Sequence, residues 1–596
     1  MAMKRVLRQS VSLYVITLLA LLSSPAPINR VASAQTGRQW PTRLQAGDTP
    51  ADITLTRTLG LTRDDELGLV VGIGDFNGDR VSDFLVSYSK DILDDDDTFR
   101  QHMVRYGIFF GKPNPSAPVS INIDKRTPDL TLDLDFKLVS FISTIGDVNG
   151  DHIDDLLVIE RVDGVAFGGF KILFGSTRLQ PGRLDVTQQT PDLRIINKDP
   201  AHYSTDVIGA ADLNGDGLKD LILAENDLAS GTSFYGFLGP LATGRTIDLR
   251  SQSADLRIKA TSLPRPKVLA LADVNGDGRA DILVQRFAPA APPGIGPEVL
   301  DMVFGTADLP ASREISLTDG QADATVDLGF ITGGFATGDI NGDGNADILI
   351  GRTLRYDDGP PLTSGWVDVI FGSHTLQGRI DHVDATISGL PLSSFIGPVT
   401  QSDLLNHLGA SIVASDLNGD GFADIVLGTL GFEDSKKEET LSPGRTHVIF
   451  GSADIGNVSL EKEQQDLTII FGPQQRSSGS PVNAGDFNGD GLADVLIGGI
   501  EVYVYFAAPL GPPQLTQAKY RSSAEDLTLT GADFTGAARV EINGVQIDRE
   551  VTFQPKRDQI IVHGSKAQLN LRDSKNQVVV IRKGARSNAI KVKLKG

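Results

Sequence analysis

A nine-residue pattern, Asp-x-Asn-Gly-Asp-x-x-x-Asp, occurs seven times in this chain, opening at Asp75, Asp147, Asp212, Asp273, Asp339, Asp416 and Asp486. Successive openings lie 72, 65, 61, 66, 77 and 70 residues apart. A period of that size is one supersecondary unit, and units repeated at a near-constant period stack or close radially rather than fold as separate domains. Radial repetition also accommodates 596 residues, since a single core stops growing at about 250 to 300 residues.

Each unit carries further shared parts. A small-residue apolar segment precedes the loop, as in Gly409 to Ser415, and an unbroken apolar run follows it, as in Ala346 to Gly351. Then comes a strand ending in Phe-Gly, at Phe110-Gly111, Phe174-Gly175, Phe304-Gly305, Phe371-Gly372 and Phe450-Gly451; units three and seven have Phe237-Leu238-Gly239 and Tyr505-Phe506-Ala507 instead. A short alternating strand closes the unit, beginning at Asp129, Asp192, Asp255, Asp323, Asp384 and Asp466. All four segments are too short for helices and are bounded by turn residues, so the expectation is all-β: four-stranded blades in a seven-bladed propeller over residues 51–513. Unit seven lacks its fourth strand before a proline-rich stretch, whereas Asp52 to Leu55 reads as a fourth strand placed ahead of the first loop. The N-terminal segment is therefore expected to complete the last blade and hide its edge.

The loops and their strand context resemble the FG-GAP repeats of integrin alpha subunits, over roughly Ala51 to Pro513. That resemblance implies a seven-bladed calcium-binding propeller.

The loop chemistry points the same way. Calcium takes six to eight oxygens at about 2.3 to 2.6 Å, and an acidic turn with ligands at alternate positions supplies them. The expected ligands at position one are Asp75, Asp147, Asp212, Asp273, Asp339, Asp416 and Asp486. At position three they are Asn77, Asn149, Asn214, Asn275, Asn341, Asn418 and Asn488, and at position five Asp79, Asp151, Asp216, Asp277, Asp343, Asp420 and Asp490. Position seven offers its backbone carbonyl, from Val81, Ile153, Leu218, Arg279, Asn345, Phe422 and Leu492. Position nine closes the set with Asp83, Asp155, Asp220, Asp281, Asp347, Asp424 and Asp494. A single such loop is equally well a solvated Asx-turn. Seven of them concentrate so much carboxylate that the compact state needs counter-charge, so up to seven structural calcium ions are expected. Arg80 and His152 replace the glycine found at position six of the other units, marking the first two sites as weaker or distorted.

There is no cysteine, which removes disulfides, thiol catalysis and cysteine-held metals. Lys4, Arg5 and Arg8, the apolar run Val11 to Leu22, and Ala32-Ser33-Ala34 read as a signal peptide over residues 1–34, followed by a linker at 35–50. A membrane anchor is the competing reading of a run this short. The expected location is secreted, extracellular or at the cell surface, with the periplasm also open, and no membrane span in the mature chain. Acidic residues outnumber basic ones 76 to 55, which disfavours nucleic acid as a partner. The balance reverses from Leu515 onward, where 15 Lys and Arg face 8 Asp and Glu. After a linker at 514–523, residues 524–596 alternate as exposed strands with an Asn543-Gly544 hairpin signal. With Gly531, Phe534, Ala538 and Val540 they resemble an IPT/TIG immunoglobulin-like β-sandwich.

Long connections opposite the calcium loops include Tyr88 to Met103, Phe287 to Glu298, Arg352 to Trp366, Ser388 to His407 and Phe432 to Gly444. By resemblance to integrins this is the ligand face, with Tyr356 and Trp366 as its foremost aromatics and an extracellular protein or glycan as its partner; plain surface insertion is the alternative. The leading function is adhesion or macromolecular recognition without catalysis. Two others stay open: a polysaccharide-active glycosidase or lyase, and an envelope scaffold. The eight histidines form no zinc motif and no nucleophile elbow is present.

Overall fold

The computed structural model describes residues 43–45 and 51–595, except the segments 57–66, 289–296, 353–364, 390–407, 472–480, 508–513 and 533–538 and shorter breaks of up to five residues. The signal segment, Tyr356, and residues 94–98 lie outside the described residues. No helix among the described residues is long and apolar enough to cross a membrane.

Every unit forms an antiparallel meander. In unit five, Phe335–Gly338 pairs with Asp347–Arg352, that strand with Trp366–Ile370, and that with Ala385–Ser388. The second strand is buried along nearly its whole length, with Ile348, Leu349 and Ile350 at most 1% exposed. That is why it reads as an unbroken apolar run rather than an alternating one.

Each sheet of the ring carries an outer strand beyond the four expected, and in the third the first strand is split into His202–Tyr203 and Val207–Ala211. The extra strand runs parallel to the fourth and comes from the next unit, lying between that unit's third and fourth strands. Thus Gly182–Asp185 joins Leu130–Asp133, Arg245–Asp248 joins Leu193–Ile196, and Arg313–Ser316 joins Leu256–Ala260. These strands are short and largely exposed, so no hydrophobic alternation announces them, and their polar, abbreviated form blunts the sheet edge against further pairing.

The N-terminal segment supplies two such pieces. Ile53–Thr56 is antiparallel to Val502–Tyr505 and fills the fourth position of the seventh sheet, which takes Val119–Asn122 as its outermost strand. Arg43–Gln45, inside the span read as a linker, lies parallel to Leu467–Ile470 as the outer strand of the sixth sheet. One stretch of chain is thereby stitched into two neighbouring sheets.

The apolar core lies between sheets. One cluster joins sheets one and two through Ile73, Phe76, Leu132 and Val158; others join each later pair in turn. The series closes where Phe84, Val86 and Phe109 of sheet one meet Phe487, Leu496 and Val504 of sheet seven. There Phe84 and Phe487 meet edge to face with ring centroids 5.6 Å apart. The described sheets therefore form a closed ring, with Val482–Gly485 packed against Leu67–Gly74 at the seam.

Several stretches read as loops are strand. Asp83–Leu93 and Phe99–Phe109 remain paired as far as Leu93 with Phe99, and Phe432–Asp434 pairs with Glu439–Ser442 as a separate hairpin. Both stretches are rich in acidic and basic residues, so no apolar run announces a strand. Gln514–Arg521, read as a linker, is also a strand: it pairs with Asp526–Ala532, so the C-terminal unit begins ten residues earlier than its apolar pattern suggested. Its two sheets enclose one core, with Tyr520, Leu529 and Ile560 from one and Val540, Ile542 and Val580 from the other.

Candidate functional site: the acidic loop ring

Each acidic loop sits between the first and second strands of its sheet and is shaped by its own side chains. In unit three, Asp212 Oδ1 accepts from the backbone N–H of Gly215 and Asp216 at 2.6 and 3.1 Å, and Oδ2 from Gly217 at 2.8 Å. Asn214 Oδ1 accepts from Asp216 N–H at 2.9 Å, and Asp216 Oδ1 from Leu218 N–H at 2.9 Å. Such local side-chain to backbone bonds are what make Asp and Asn turn formers. The same scheme recurs at Asp339 to Asn345 and Asp416 to Phe422.

The ninth-position aspartate does something the spacing alone did not disclose. Asp220 Oδ2 accepts from Leu213 N–H at 2.9 Å while Oδ1 accepts from Gly239 N–H at 2.9 Å, at the end of the third strand. All seven units share this bridge, down to Asp494, which holds Phe487 N–H at 2.9 Å and Ala507 N–H at 2.7 Å. A second carboxylate, from the start of the fourth strand, takes the preceding N–H: Asp323 that of Phe304 at 2.8 Å and Asp466 that of Phe450 at 2.7 Å. In the seventh sheet this role falls to Asp52, which accepts from Phe506 N–H at 2.8 Å. The Phe-Gly turn is thus clamped by two aspartates on successive N–H groups. Its glycine is demanded by crowding, because a Cβ at Gly305 would lie 2.6 Å from the Ala280 carbonyl oxygen.

The loops also touch one another in cyclic order. A Cβ at position four would meet the side chain at position seven of the next loop: Gly150 that of Leu218 at 3.3 Å, Gly419 that of Leu492 at 2.8 Å, and Gly489 that of Val81 at 3.0 Å across the seam. Backbone bonds run the same way. Asp154 N–H donates to Asp75 O at 2.9 Å, Ala346 N–H to Asp273 O at 2.8 Å, and Ser82 N–H to Asp486 O at 2.8 Å. Position seven, expected as a carbonyl donor, therefore also supplies the wedge between adjacent loops.

The position-six expectation is altered in one respect. Arg80 and His152 adopt φ of 72° and 67°, in the left-handed region that Gly217 and Gly344 occupy at 86° and 91°. The loop keeps its shape without glycine and carries the strain. His152 projects into solvent, its side chain 96% exposed.

Electrostatically, the ninth-position carboxylates are held in an unfavourable setting. Burial pushes Asp83 and Asp155 up to about 8, Asp281 and Asp347 to about 7, and Asp220 to about 6, while Asp494 is raised well above the ordinary carboxylate range. Backbone N–H donors oppose the shift, and neighbouring loop carboxylates add to it. Burial likewise raises Asp75, Asp486 and Asp490. Among the described residues no three His, Asp or Glu side chains are already gathered as a metal cluster; the carboxylates are turned onto backbone N–H groups. The donor set still fits a hard dication, because it is oxygen throughout and its carboxylates are desolvated beside other carboxylates. The ion, when bound, supplies positive charge; the chain supplies the preformed turn.

Tyr356 lies outside the described residues. Trp366 starts a strand, opposite Arg352, and its indole N–H donates to Asp368 Oδ1 at 3.0 Å. Asp368 also receives Arg352 Nε at 2.9 Å, which makes Trp366 part of a partly buried in-sheet network. Sheet four has a counterpart in Arg286, Asp301 and Thr325, and sheet six in His447 and Thr468. Scattered through otherwise apolar strands, these residues gave no sequence signal.

A closed ring of β-sheets bearing acidic nine-residue loops has the architecture of a β-propeller. The FG-GAP-like repeat family matches residues 212–284 and the FG-GAP repeat family residues 408–435. Among curated proteins the chain is similar to phosphatidylinositol-glycan-specific phospholipase D of Bos taurus, 32% identical over 142 residues, covering 21% of this chain and 16% of the relative. The Homo sapiens phospholipase of the same name is 31% identical over 161 residues, 23% of this chain and 18% of the relative. Integrin alpha-PS2 of Drosophila melanogaster is 24% identical over 226 residues, 35% of this chain and 14% of the relative. The chain thus spans less than a fifth of the length of these relatives. Two solved structures, the Dos1 propeller and Drosophila Semaphorin 2a, align over 89% and 77% of this chain and 95% and 86% of their own. Their identities are 9% and 10% and their TM-scores 0.25 and 0.29, too slight a likeness to carry weight.

Proposed function

We propose that this chain is an exported, seven-bladed propeller of four-stranded blades, each with a borrowed edge strand, followed by an IPT/TIG-like sandwich, and that it serves as a calcium-stabilised adhesion or recognition module. The observation that carries the reading is the acidic loop ring, in which desolvated carboxylates such as Asp83, Asp155 and Asp494 bridge each loop to its own third strand while positions four and seven of successive loops meet. Calcium at these loops neutralises the ring and fixes each blade to the next. The opposite face, where Asp347–Arg352 ends and Trp366–Ile370 begins, is the proposed ligand face for an extracellular protein or glycan.

Extracellular calcium modules bind at about 10⁻⁴ to 10⁻³ M, and a ligand at ten times its Kd stabilises by roughly 1.4 kcal/mol per site. Several such sites together are comparable with a whole domain's stability of about 5 to 15 kcal/mol. The experiment is thermal unfolding with calcium and with EDTA, paired with glycan and matrix-protein arrays under both conditions. A large fall in Tm on chelation and calcium-dependent retention without turnover are expected. An unchanged melting curve defeats the calcium reading, and product release from an arrayed glycan defeats the non-catalytic one.

A further inference from the structure

All seven loops contain a dipeptide whose chemistry cation binding leaves unused: Asn-Gly, from Asn77-Gly78 through Asn488-Gly489. Glycine has no side chain to hinder its own backbone nitrogen, so that nitrogen attacks the preceding asparagine Cγ. The side-chain nitrogen leaves as ammonia and a five-membered succinimide remains. One water then opens the ring, giving aspartate by one route and isoaspartate, with the backbone rerouted through the side chain, by the other. One water enters, one ammonia leaves, and nothing is oxidised or reduced.

The folded loop holds both reactants away from that geometry. In unit three, Gly215 N–H is committed to Asp212 Oδ1 at 2.6 Å. The Asn214 amide is anchored at both ends, Oδ1 accepting from Asp216 N–H at 2.9 Å and Nδ2 donating to Asp216 Oδ2 at 3.0 Å. Gly150 and Gly419 N–H are held in the same way, each at 2.7 Å from the first-position aspartate. Asn418 Nδ2 donates to both oxygens of Asp424 at 3.1 Å. Closing the succinimide means swinging Cγ onto the glycine nitrogen, which breaks these amide bonds. It also means rotating a backbone that sits at φ of 72° to 81° at the seven glycines and is wedged against the next loop.

Closure is harder still to restore after conversion to isoaspartate. The extra backbone methylene has no room where even a Cβ at Gly419 would lie 2.8 Å from Leu492. We propose that the seven Asn-Gly pairs are latent modification sites, silent while the ring is closed and converted when a loop opens, so that an opening event leaves a covalent mark that keeps the loop from re-forming. Susceptibility follows exposure. Asn275, Asn418 and Asn488 are 9%, 6% and 6% exposed and are the slowest, while the half-buried Asn77, Asn149, Asn214 and Asn341 convert first.

The inference rests on the folded loop and not on the cation. The test is peptide mapping by mass spectrometry of the full chain after incubation in mildly alkaline buffer with calcium, with EDTA, and in denaturing urea. Local opening sets the rate in the native protein, and conversion at the loop asparagines is expected to be at least roughly tenfold slower with calcium than in urea. Equal rates in those two conditions overturn the proposal. So does conversion of Asn418 ahead of Asn149 in the native protein. EDTA that speeds the seven loop sites but not Asn543-Gly544 supports both this inference and the calcium reading. EDTA without effect beside a large urea effect supports the inference and defeats the calcium reading.

Discussion

Asp52 offers a direct measure of how the ring is closed. It lies 454 residues from its partner Phe506 in the seventh sheet, yet fills the position that Asp255 and Asp384 hold within their own units. Replacing Asp52 with alanine removes the carboxylate that accepts Phe506 N–H at 2.8 Å while leaving the Ile53 to Val504 pairing in place. A hydrogen bond to a charged group is worth about 1.5 to 3 kcal/mol, so a loss of about 2 kcal/mol is expected. Unfolding entropy near 2.1 cal/mol/K per residue over a ring of roughly 450 residues gives about 1 kcal/mol/K, so Tm falls by only about 2 °C. The urea midpoint is the better assay. Asp255→Ala, which removes the bond to Leu238 N–H at 3.0 Å, is the internal standard. Deleting residues 51–56 removes the strand altogether and is expected to cost several times more than either substitution. If Asp52→Ala leaves the midpoint unmoved while Asp255→Ala lowers it, the N-terminal segment does not close the ring and the reasoning fails.

Arg80→Gly and His152→Gly relieve left-handed strain of about 1 to 2 kcal/mol but lose about 0.4 to 1 to the freer unfolded chain, so each is expected to stabilise by about 0.5 to 1 kcal/mol in urea titration; a loss of stability refutes the strain. Gly342→Ala drives a Cβ into the Phe422 ring at a φ of 76°, whereas Gly344→Ala, at 91°, meets open space. Calorimetry should therefore find the first costing well beyond the about 1 to 2 kcal/mol of the second, and equal costs would remove the wedge between loops. His447 is fully buried, and burial, with Arg445 beside it, lowers its pKa to about 3. Its unfolded pKa is about 6.5, so from about pH 6.5 down to about 3 the unfolded chain takes up a proton that the folded one refuses. Stability then falls by up to about 1.4 kcal/mol per pH unit on acidification and is whole above about pH 7. His447→Gln, which keeps a partner for Thr468, should be less acid-sensitive by about 2 kcal/mol between about pH 7 and pH 5, and identical pH profiles would refute the burial.

What the sequence disclosed and what it withheld divide along physical lines. Periodic features were legible, because a loop such as Asp212 to Asp220 forms through bonds between residues at most seven apart. The buried second strand was legible as well, since burial on both faces leaves an uninterrupted apolar run. The borrowed edge strands were not. Gly182–Asp185 is exposed, lacks alternation, and owes its structure to Leu130–Asp133 some fifty residues away. Arg43–Gln45 likewise owes its structure to a distant strand, more than four hundred residues away. The role of Asp323 and its counterparts was visible only as a recurrent first letter of the fourth strand, because its partner, Phe304 N–H, is a backbone group and leaves no trace in composition. The Phe-Gly pair, or its counterpart Leu238-Gly239 and Phe506-Ala507 in units three and seven, is thus the meeting point of two carboxylates from different strands. One of them, at position nine, also belongs to the loop that faces the next unit. A perturbation at a loop therefore reaches its neighbour by the wedge at position seven and its own third strand by the ninth-position bridge. That double coupling predicts that loss of one loop loosens the adjacent sheet before the distant ones, a gradient that hydrogen exchange along the second strands would read directly.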